Sequence, residues 1–502
     1  MKFSLKIITI VLTVSLISCS KDFLDKQNPT ELGVESFYQT EDQINQGVIG
    51  IYGELQRVVA NQWFFQEFIT DNTTVHFNEG NRGNAPNIES IEYWQYNSNS
   101  GKFNEIYVDI YSAIGNINIV LFKLSDADID AGVKSVFEGE VKFIRAYFYY
   151  LLAEYFGDAI IVNEPIQNPS EAFEFLRSPV AEVYEFIESD LETAISTLPT
   201  IIPPSEAGRL SKGAALMLKA KVLFAQKDFP GGKLALDELV SLNSYDILPN
   251  YADIFDPNNK NHAESIFEIQ FQGNNELGES SGFIYNFYPL YSQGAVTGFP
   301  GIDGNGWNIP TNNMIAAYES GDLRKDVSLS EGYINNSGDY VAVPFIEKFH
   351  NPHSIVRRPD DNWPVFRYAD VLLMLAEAIN EISGPTAEAY GHVNRVRDRA
   401  DLGPLTEGLS KEQFKSAILD ERRVELAFEN HRWFDLKRML SSAELVAFLN
   451  AHGEEEMANP TTPRGSIGFS AGDYIFEEFE ILFPLPANEL LVNPKLKQNN
   501  GY

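Results

Sequence analysis

Two stretches of the sequence combine flat aromatic rings with planar hydrogen-bonding side chains. The first runs from Trp63 to Tyr96 and holds Trp63, Asp71, Asn78, Arg82, Trp94 and Tyr96. The second is FIYNFYPLYSQGAVTGFPGIDGNGWNIP, Phe283 to Pro310, with Tyr291, Phe299 and Trp307. Rings of this kind stack on an apolar C–H face, while carboxylates, amides and guanidinium groups take up the hydroxyls around it. That chemistry suits a sugar ring. The expected ligand contacts are therefore Trp63, Asp71, Asn78, Arg82, Trp94, Tyr96, Tyr291 and Trp307. For each aromatic the competing role is to pack the scaffold, above all for Trp307, just before Ile309-Pro310-Thr311.

No catalytic signature accompanies them. H-E-x-x-H and Walker patterns are absent from the sequence, and Gly278 to Gly282 fits G-x-S-x-G only inside a turn-rich region, without the strand and helix that a nucleophile elbow needs. His350 and His353 flank Asn351-Pro352, and the proline breaks the helical register that paired metal-binding imidazoles use, so a plain loop is expected and no metal or other cofactor. Asp256 to Glu264 lacks the alternating carboxylates and central glycine of a calcium loop. A glycosidase's carboxylate pair could sit among the 71 acidic residues, but nothing singles one out. The charge-dense block DERRVELAFENHRWFD reads as structure. Glu421, Arg422, Arg423 and Glu425 fall within one helical turn, where i,i+3 and i,i+4 ion pairs lock a helix to its neighbour, and Trp433 and Phe434 bury its exit. Not an enzyme but a binding protein is expected.

The lone cysteine is a different kind of reactive group. Lys2 and Lys6 precede an apolar run, Ile7 to Ile17, which stops at Cys19. A basic start, a short apolar core and a small residue before the cut describe a signal peptide, and the run is shorter than the roughly 20 apolar residues of a spanning helix. Residues 1–18 are expected to be removed, leaving Cys19 to be lipidated and 19–40 as a tether. With no second cysteine there is no disulfide. A formal charge of −33, from 71 acidic and 38 basic residues, repels phosphate backbones and argues against nucleic acid; it also disfavours polyanionic polymers.

The elements that must position these residues are mainly helical. GEVKFIRAYFYYLLAEYF (Gly139 to Phe156) repeats apolar residues at three- and four-residue spacing, and PVAEVYEFIESDLETAISTL (Pro179 to Leu198) opens with proline, expected in the first turn. The same pairing recurs in SKGAALMLKAKVLFAQKDF with GGKLALDELVSL, and in FRYADVLLMLAEAINEISG with PTAEAYGHVNRVRDRA. Alanines there let helices approach closely, a tetratricopeptide-like texture without the strict 34-residue period. A helical scaffold over about 41–250 and 365–440 is expected, with a loop-rich, partly β region at about 251–364 and a C-terminal block at 441–502, all in one domain. SIFEIQFQ and DYVAVPFIEKF predict short strands within the loop-rich region, and Trp363, near Arg367, is expected to close the entry to the last helical pair.

These blocks resemble the SusD/RagB family of Bacteroidetes outer-membrane lipoproteins over the whole chain. Leu16-Ile17-Ser18-Cys19 is similar to a lipobox. DFLDKQNPTELGVESFYQTEDQINQGVIGIYGEL, WFFQEFITDNT, YVDIYSAIGNINIVL and IPTNNMIAAYESGDLRKD follow in the family's order, and ILDERRVELAFENHRWFDLKRM and ILFPLPANELLVNPKLKQNNGY are similar to its C-terminal blocks. Asn430 stands where glycine is usual, and Asn500 where proline is. The resemblance implies a SusD-like fold, four tetratricopeptide-like helix pairs under a variable face, on a surface lipoprotein that caps a SusC-type TonB-dependent transporter. It also implies a glycan ligand captured for that transporter, with the ligand face drawn from the two aromatic stretches above. A neutral polysaccharide is expected from the charge, a β-glucan such as laminarin or an α-glucan being examples, and a peptide ligand of the RagB kind is the alternative.

Overall fold

The structure, a computed structural model, describes residues 37–502 other than 84 and 277. The expected signal peptide, Cys19 and most of the tether lie outside the described residues. Helix accounts for 51% and strand for 5%, so the architecture is mainly α, as expected.

The scaffold is a succession of packed helix pairs. Helix α1 (Glu41–Gln66) begins at Thr40, whose hydroxyl accepts from Gln43 while Gln43 returns the bond to the cap. Its stripe of Ile44, Val48, Ile51, Leu55 and Val58 is buried; the short α2 (Ala85–Glu92) follows, and α1 packs directly on α3 (Gly101–Ser125). Helix α4 (Ala131–Phe156) starts earlier than the apolar spacing predicts, because the Asp130 carboxylate caps the amides of Gly132 and Val133. Its partner α5 (Val180–Thr197) begins with Pro179 at the N-cap rather than inside the first turn, a one-residue correction. Gly139 allows the two to cross: a Cβ there would meet Thr197 Oγ1 at 2.2 Å. Arg145 on α4 forms a two-pronged bond to Asp190 on α5, at 2.7 and 2.9 Å. The pairs α6 (Lys212–Ala225) with α7 (Phe229–Ser241) and α8 (Tyr368–Ser383) with α9 (Ala387–Arg399) continue the stack.

The loop-rich region contributes paired short strands. β1 (Thr73–Thr74) pairs with β3 (Ile309–Pro310), and β2 (Ser265–Ile269) with β8 (Trp363–Arg367), both antiparallel. The run Asp339 to Phe349 does not form one strand. Pro344 has no N–H for a ladder, and the run divides into β6 (Tyr340–Val341), paired with β5 (Tyr333–Ile334), and β7 (Phe345–Ile346), paired with β4 (Leu329–Ser330). Trp363 is buried at the start of β8, which leads directly into α8.

Helices α10 (Lys411–Glu425), α11 (Arg432–Met439) and α12 (Ser442–Ala458) close the fold, with α13 (Ala487–Val492) near the C-terminus. The charged block on α10 is structural, but its ion pairs reach other elements instead of running along the helix. Buried Arg324 bonds Asp322, Glu421 and Glu425; buried Arg367 on β8 bonds Glu264, Glu425 and Glu429; Arg422 bonds Asp370 on α8 and Asp435 on α11. Burial alone would raise Glu425, yet Arg399, Arg367 and Arg324 hold it well below its ordinary value. Removing one partner would leave a buried charge unpaired, a loss of about 3–5 kcal/mol.

Candidate ligand-binding site

The two aromatic stretches, some two hundred residues apart, meet in space. The β1–β3 ladder joins them, and side chains extend it: Thr73 Oγ1 donates to Asn308 Oδ1 at 2.6 Å, and the Thr311 amide to the Asn72 carbonyl at 3.0 Å. The His76 amide bonds the Gly306 carbonyl at 2.6 Å. Gly306 is required there: its φ is +65° and a Cβ would lie 2.7 Å from that of His76.

Not every expected contact reaches the surface. Trp63 is fully buried, stacked on Phe64 at 3.6 Å and edge-on to Phe68 and Phe287. Trp94 is 3% exposed and serves as the left-handed C-terminal residue of α2: its φ is +55°, and the Gln95 amide returns to the Ser90 carbonyl in a Schellman closure. Its ring packs edge-on to Tyr474 and Phe476, and its indole N–H bonds the Ile69 carbonyl. Tyr96 is buried among Phe103, Phe483 and Tyr502. Asp71 is buried between Arg423 and Arg432, at 2.9 and 2.8 Å; desolvation opposes its charge, but the two guanidinium groups hold its carboxyl well below the usual range. These four are scaffold. Each is enclosed by the rings or guanidinium groups named, and none offers a free face to a ligand.

Asn78, Tyr291 and Trp307 do assemble. A cleft of about 690 Å³ lies between residues 75–81, α2 and the start of α3, with Trp307 on its wall and Asn78, Asn87, Gln95 and Asn99 among its polar lining. Trp307 is partly buried, supported underneath by Phe64 at 6.4 Å. Tyr291 stands at the rim, 56% exposed. Its hydroxyl bonds Asn78 Oδ1 at 2.8 Å and its edge meets the His76 ring. The Tyr291 backbone is left-handed, with φ +60°, a conformation costing a non-glycine residue roughly 1–2 kcal/mol. Arg82 sits beside the cleft, engaged by Glu89 at 2.7 and 2.8 Å and lying over the Phe77 ring.

The lining is close to neutral. Lys102 and Glu105 are both present but bond each other at 2.6 Å. His76 accepts from the Leu290 amide through Nδ1, and burial lowers its imidazole to about 4, so at neutral pH it is an uncharged ring with its proton on Nε2. His76, Asn87, Gln95 and Asn99 were absent from the sequence expectation. The asparagine-rich run Asn78 to Asn87 signals Asn87 alone, and His76, Gln95 and Asn99 have no signal, since single polar residues in loops have no periodicity to read.

Comparison with known proteins bears on both ends of the chain. Residues 335–502 match the family described as "SusD family", and residues 22–224 match "Starch-binding associating with outer membrane". A SusD-like protein of Formosa agariphila is 28% identical over 560 residues, covering 100% of both chains. The chain belongs to the SusD/RagB family. Solved SusD-like structures agree in fold: a SusD homolog from Bacteroides thetaiotaomicron superposes with a TM-score of 0.77 at 21% identity, covering 95% of this chain and 100% of its own. A laminarin-binding SusD-like protein gives 0.73 at 25% identity, covering 93% and 100%. Within this SusD-like chain the unusual Asn430 has a physical explanation. Its φ is +65°, the region that favours glycine and that asparagine tolerates best after it, so the backbone shape survives the exchange. Among the described residues of this SusD/RagB protein no helix is long and apolar enough to cross a membrane.

Proposed function

We propose that this SusD-like chain binds a neutral oligo- or polysaccharide in the cleft walled by Trp307, as an outer-membrane lipoprotein held at the cell surface through Cys19, and delivers it to a SusC-type TonB-dependent transporter. The observation that carries the reading is a partly buried indole lining one cleft with uncharged amides, beside an exposed tyrosine whose hydroxyl bonds the lining residue Asn78. Rings supply stacking area, amides supply hydroxyl partners, and the mutual pairing of Lys102 and Glu105 leaves no net charge to select an ionic ligand. β-Glucans are the first class to test, since a structural neighbour is described as laminarin-binding. It acts by capture alone.

The test is affinity electrophoresis and calorimetry of the soluble chain against laminarin, an α-glucan and a galactomannan. Trp307→Ala should weaken the bound glycan by roughly 30- to 150-fold, the equivalent of about 2–3 kcal/mol for a lost platform. Binding to a neutral glycan should barely respond to salt, whereas an ionic ligand would be screened. Equal affinity in parent and variant would refute the site. For the partner, mild detergent extracts should yield a large β-barrel transporter with the tagged lipoprotein, and its absence would refute the delivery step.

A further inference from the structure

The hairpin of β5 and β6 carries an apolar pair that the core does not use. Ile334 and Tyr340 are directly opposite in the register, so their side chains share one face of the ribbon. That face looks into solvent, with Ile334 59% and Tyr340 61% exposed. Tyr340 is nonetheless not a loose side chain. A Cβ on Gly332 would run into the Val341 carbonyl and would lie 2.6 Å from the Tyr340 hydroxyl and 2.7 Å from its Cζ, so the phenol is laid across the bare glycine backbone. The turn beneath is fixed: Asn335 Oδ1 accepts from Ser337 and Asp339, and the Asn335 amide bonds the Asp339 carbonyl, each at 2.9 Å.

The hairpin is continuous with the cleft. Asn336 Nδ2 bonds the Gln293 carbonyl at 2.9 Å, and Gln293 is two residues from Tyr291, whose hydroxyl reaches Asn78. The hairpin that carries Tyr340 is thus hydrogen-bonded to the loop that carries Tyr291, which is itself bonded to Asn78 in the lining of the Trp307 cleft. A rigid aromatic face, backed on one side and open on the other, is the shape that stacks on a sugar ring.

We infer that the Ile334–Tyr340 face of this hairpin is a second carbohydrate platform, which takes a later sugar of the same neutral glycan chain whose first contact is at Trp307. The inference rests on the proposed glycan-binding function. It makes the protein selective for chain length: short oligosaccharides fill the Trp307 cleft alone, and polymers also cover the hairpin.

The experiment measures affinity of the parent, Tyr340→Ala, Tyr340→Phe and Trp307→Ala for laminaribiose, laminarihexaose and laminarin, with the maltose series and amylopectin in parallel. For whichever series binds, Tyr340→Ala should weaken the polymer about tenfold, leave the disaccharide within twofold, and be rescued by Tyr340→Phe, while Trp307→Ala weakens both lengths. A parent that binds with Tyr340→Ala unchanged on the polymer overturns the second platform and leaves the cleft standing. Equal loss on short and long chains also overturns it, as does loss of transporter co-purification with glycan binding intact, which would make the face a protein-docking surface. A parent that binds neither series in any length overturns the glycan reading and the platform together.

Discussion

At the scale of single residues, the same side-chain types do two jobs that burial separates. Trp63 and Trp94 are enclosed, so Trp63→Ala or Trp94→Ala should cost about 3–5 kcal/mol in urea unfolding, while the fraction that remains folded keeps its glycan affinity. Trp307→Ala should cost less stability, because its indole is only partly buried, while weakening glycan binding in the protein that remains folded. If Trp94→Ala abolished binding without loss of stability, its assignment to the scaffold would be wrong. Asn430 gives a finer test. Its left-handed backbone suits glycine, and neither side-chain amide atom finds a partner in its buried position. Asn430→Gly should therefore raise stability, by about 1 kcal/mol through removal of the unsatisfied amide, and Asn430→Val should lower it because a β-branched residue resists positive φ. A lower urea midpoint for Asn430→Gly would show that the amide is satisfied after all.

At the scale of elements, the site depends on how α2 is fastened. Glu92, at its end, accepts from the Thr74 hydroxyl, the Val75 amide and the Tyr474 hydroxyl, tying the helix to β1 and to the C-terminal block. Burial pushes the Glu92 carboxyl up to about 8 from an ordinary 4.5, against the lowering effect of those donors. The folded protein thus holds a proton between about 4.5 and 8 that the unfolded chain releases, and stability falls as pH rises through that window. Glu92→Gln mimics the protonated group. The parent should lose stability relative to Glu92→Gln on the order of a few kcal/mol between pH 5.5 and 8, measured as the difference in urea midpoints. Parallel pH profiles for the two proteins would show that Glu92 ionises normally. The charged block on α10 teaches the same lesson about elements. Its helix and its structural role were legible from spacing, but Glu421 pairs with Arg324 and with Arg397 on α9, Arg422 with α8 and α11, and Glu425 with β8, and no local rule could pair residues so distant.

At the scale of the whole molecule, location should turn on Cys19, the chain's one thiol, behind an apolar run. Acylation with two or three chains would hold the protein stably, where one chain holds weakly, so Cys19→Ala should move from the outer-membrane fraction to the soluble one. Retention of the variant on membranes, with protease accessibility on whole cells, would refute the anchor. The sequence by itself determined the helical scaffold, its pairing texture, the family and the structural nature of the charged block, because periodicity and motif order are local properties of the chain. It also marked the two stretches that build the site. Only the tertiary structure decided which of their residues are enclosed and which line the candidate cleft. Trp63, Trp94 and Tyr96 are indistinguishable in type from Trp307 and Tyr291, yet rings from distant segments, among them Phe287, Tyr474, Phe476 and Phe483, enclose them. The β1–β3 ladder leaves Trp307 partly open in the cleft that Asn78 also lines. Exposure is set by which distant segments pack on a residue, and that information exists only once the chain has folded.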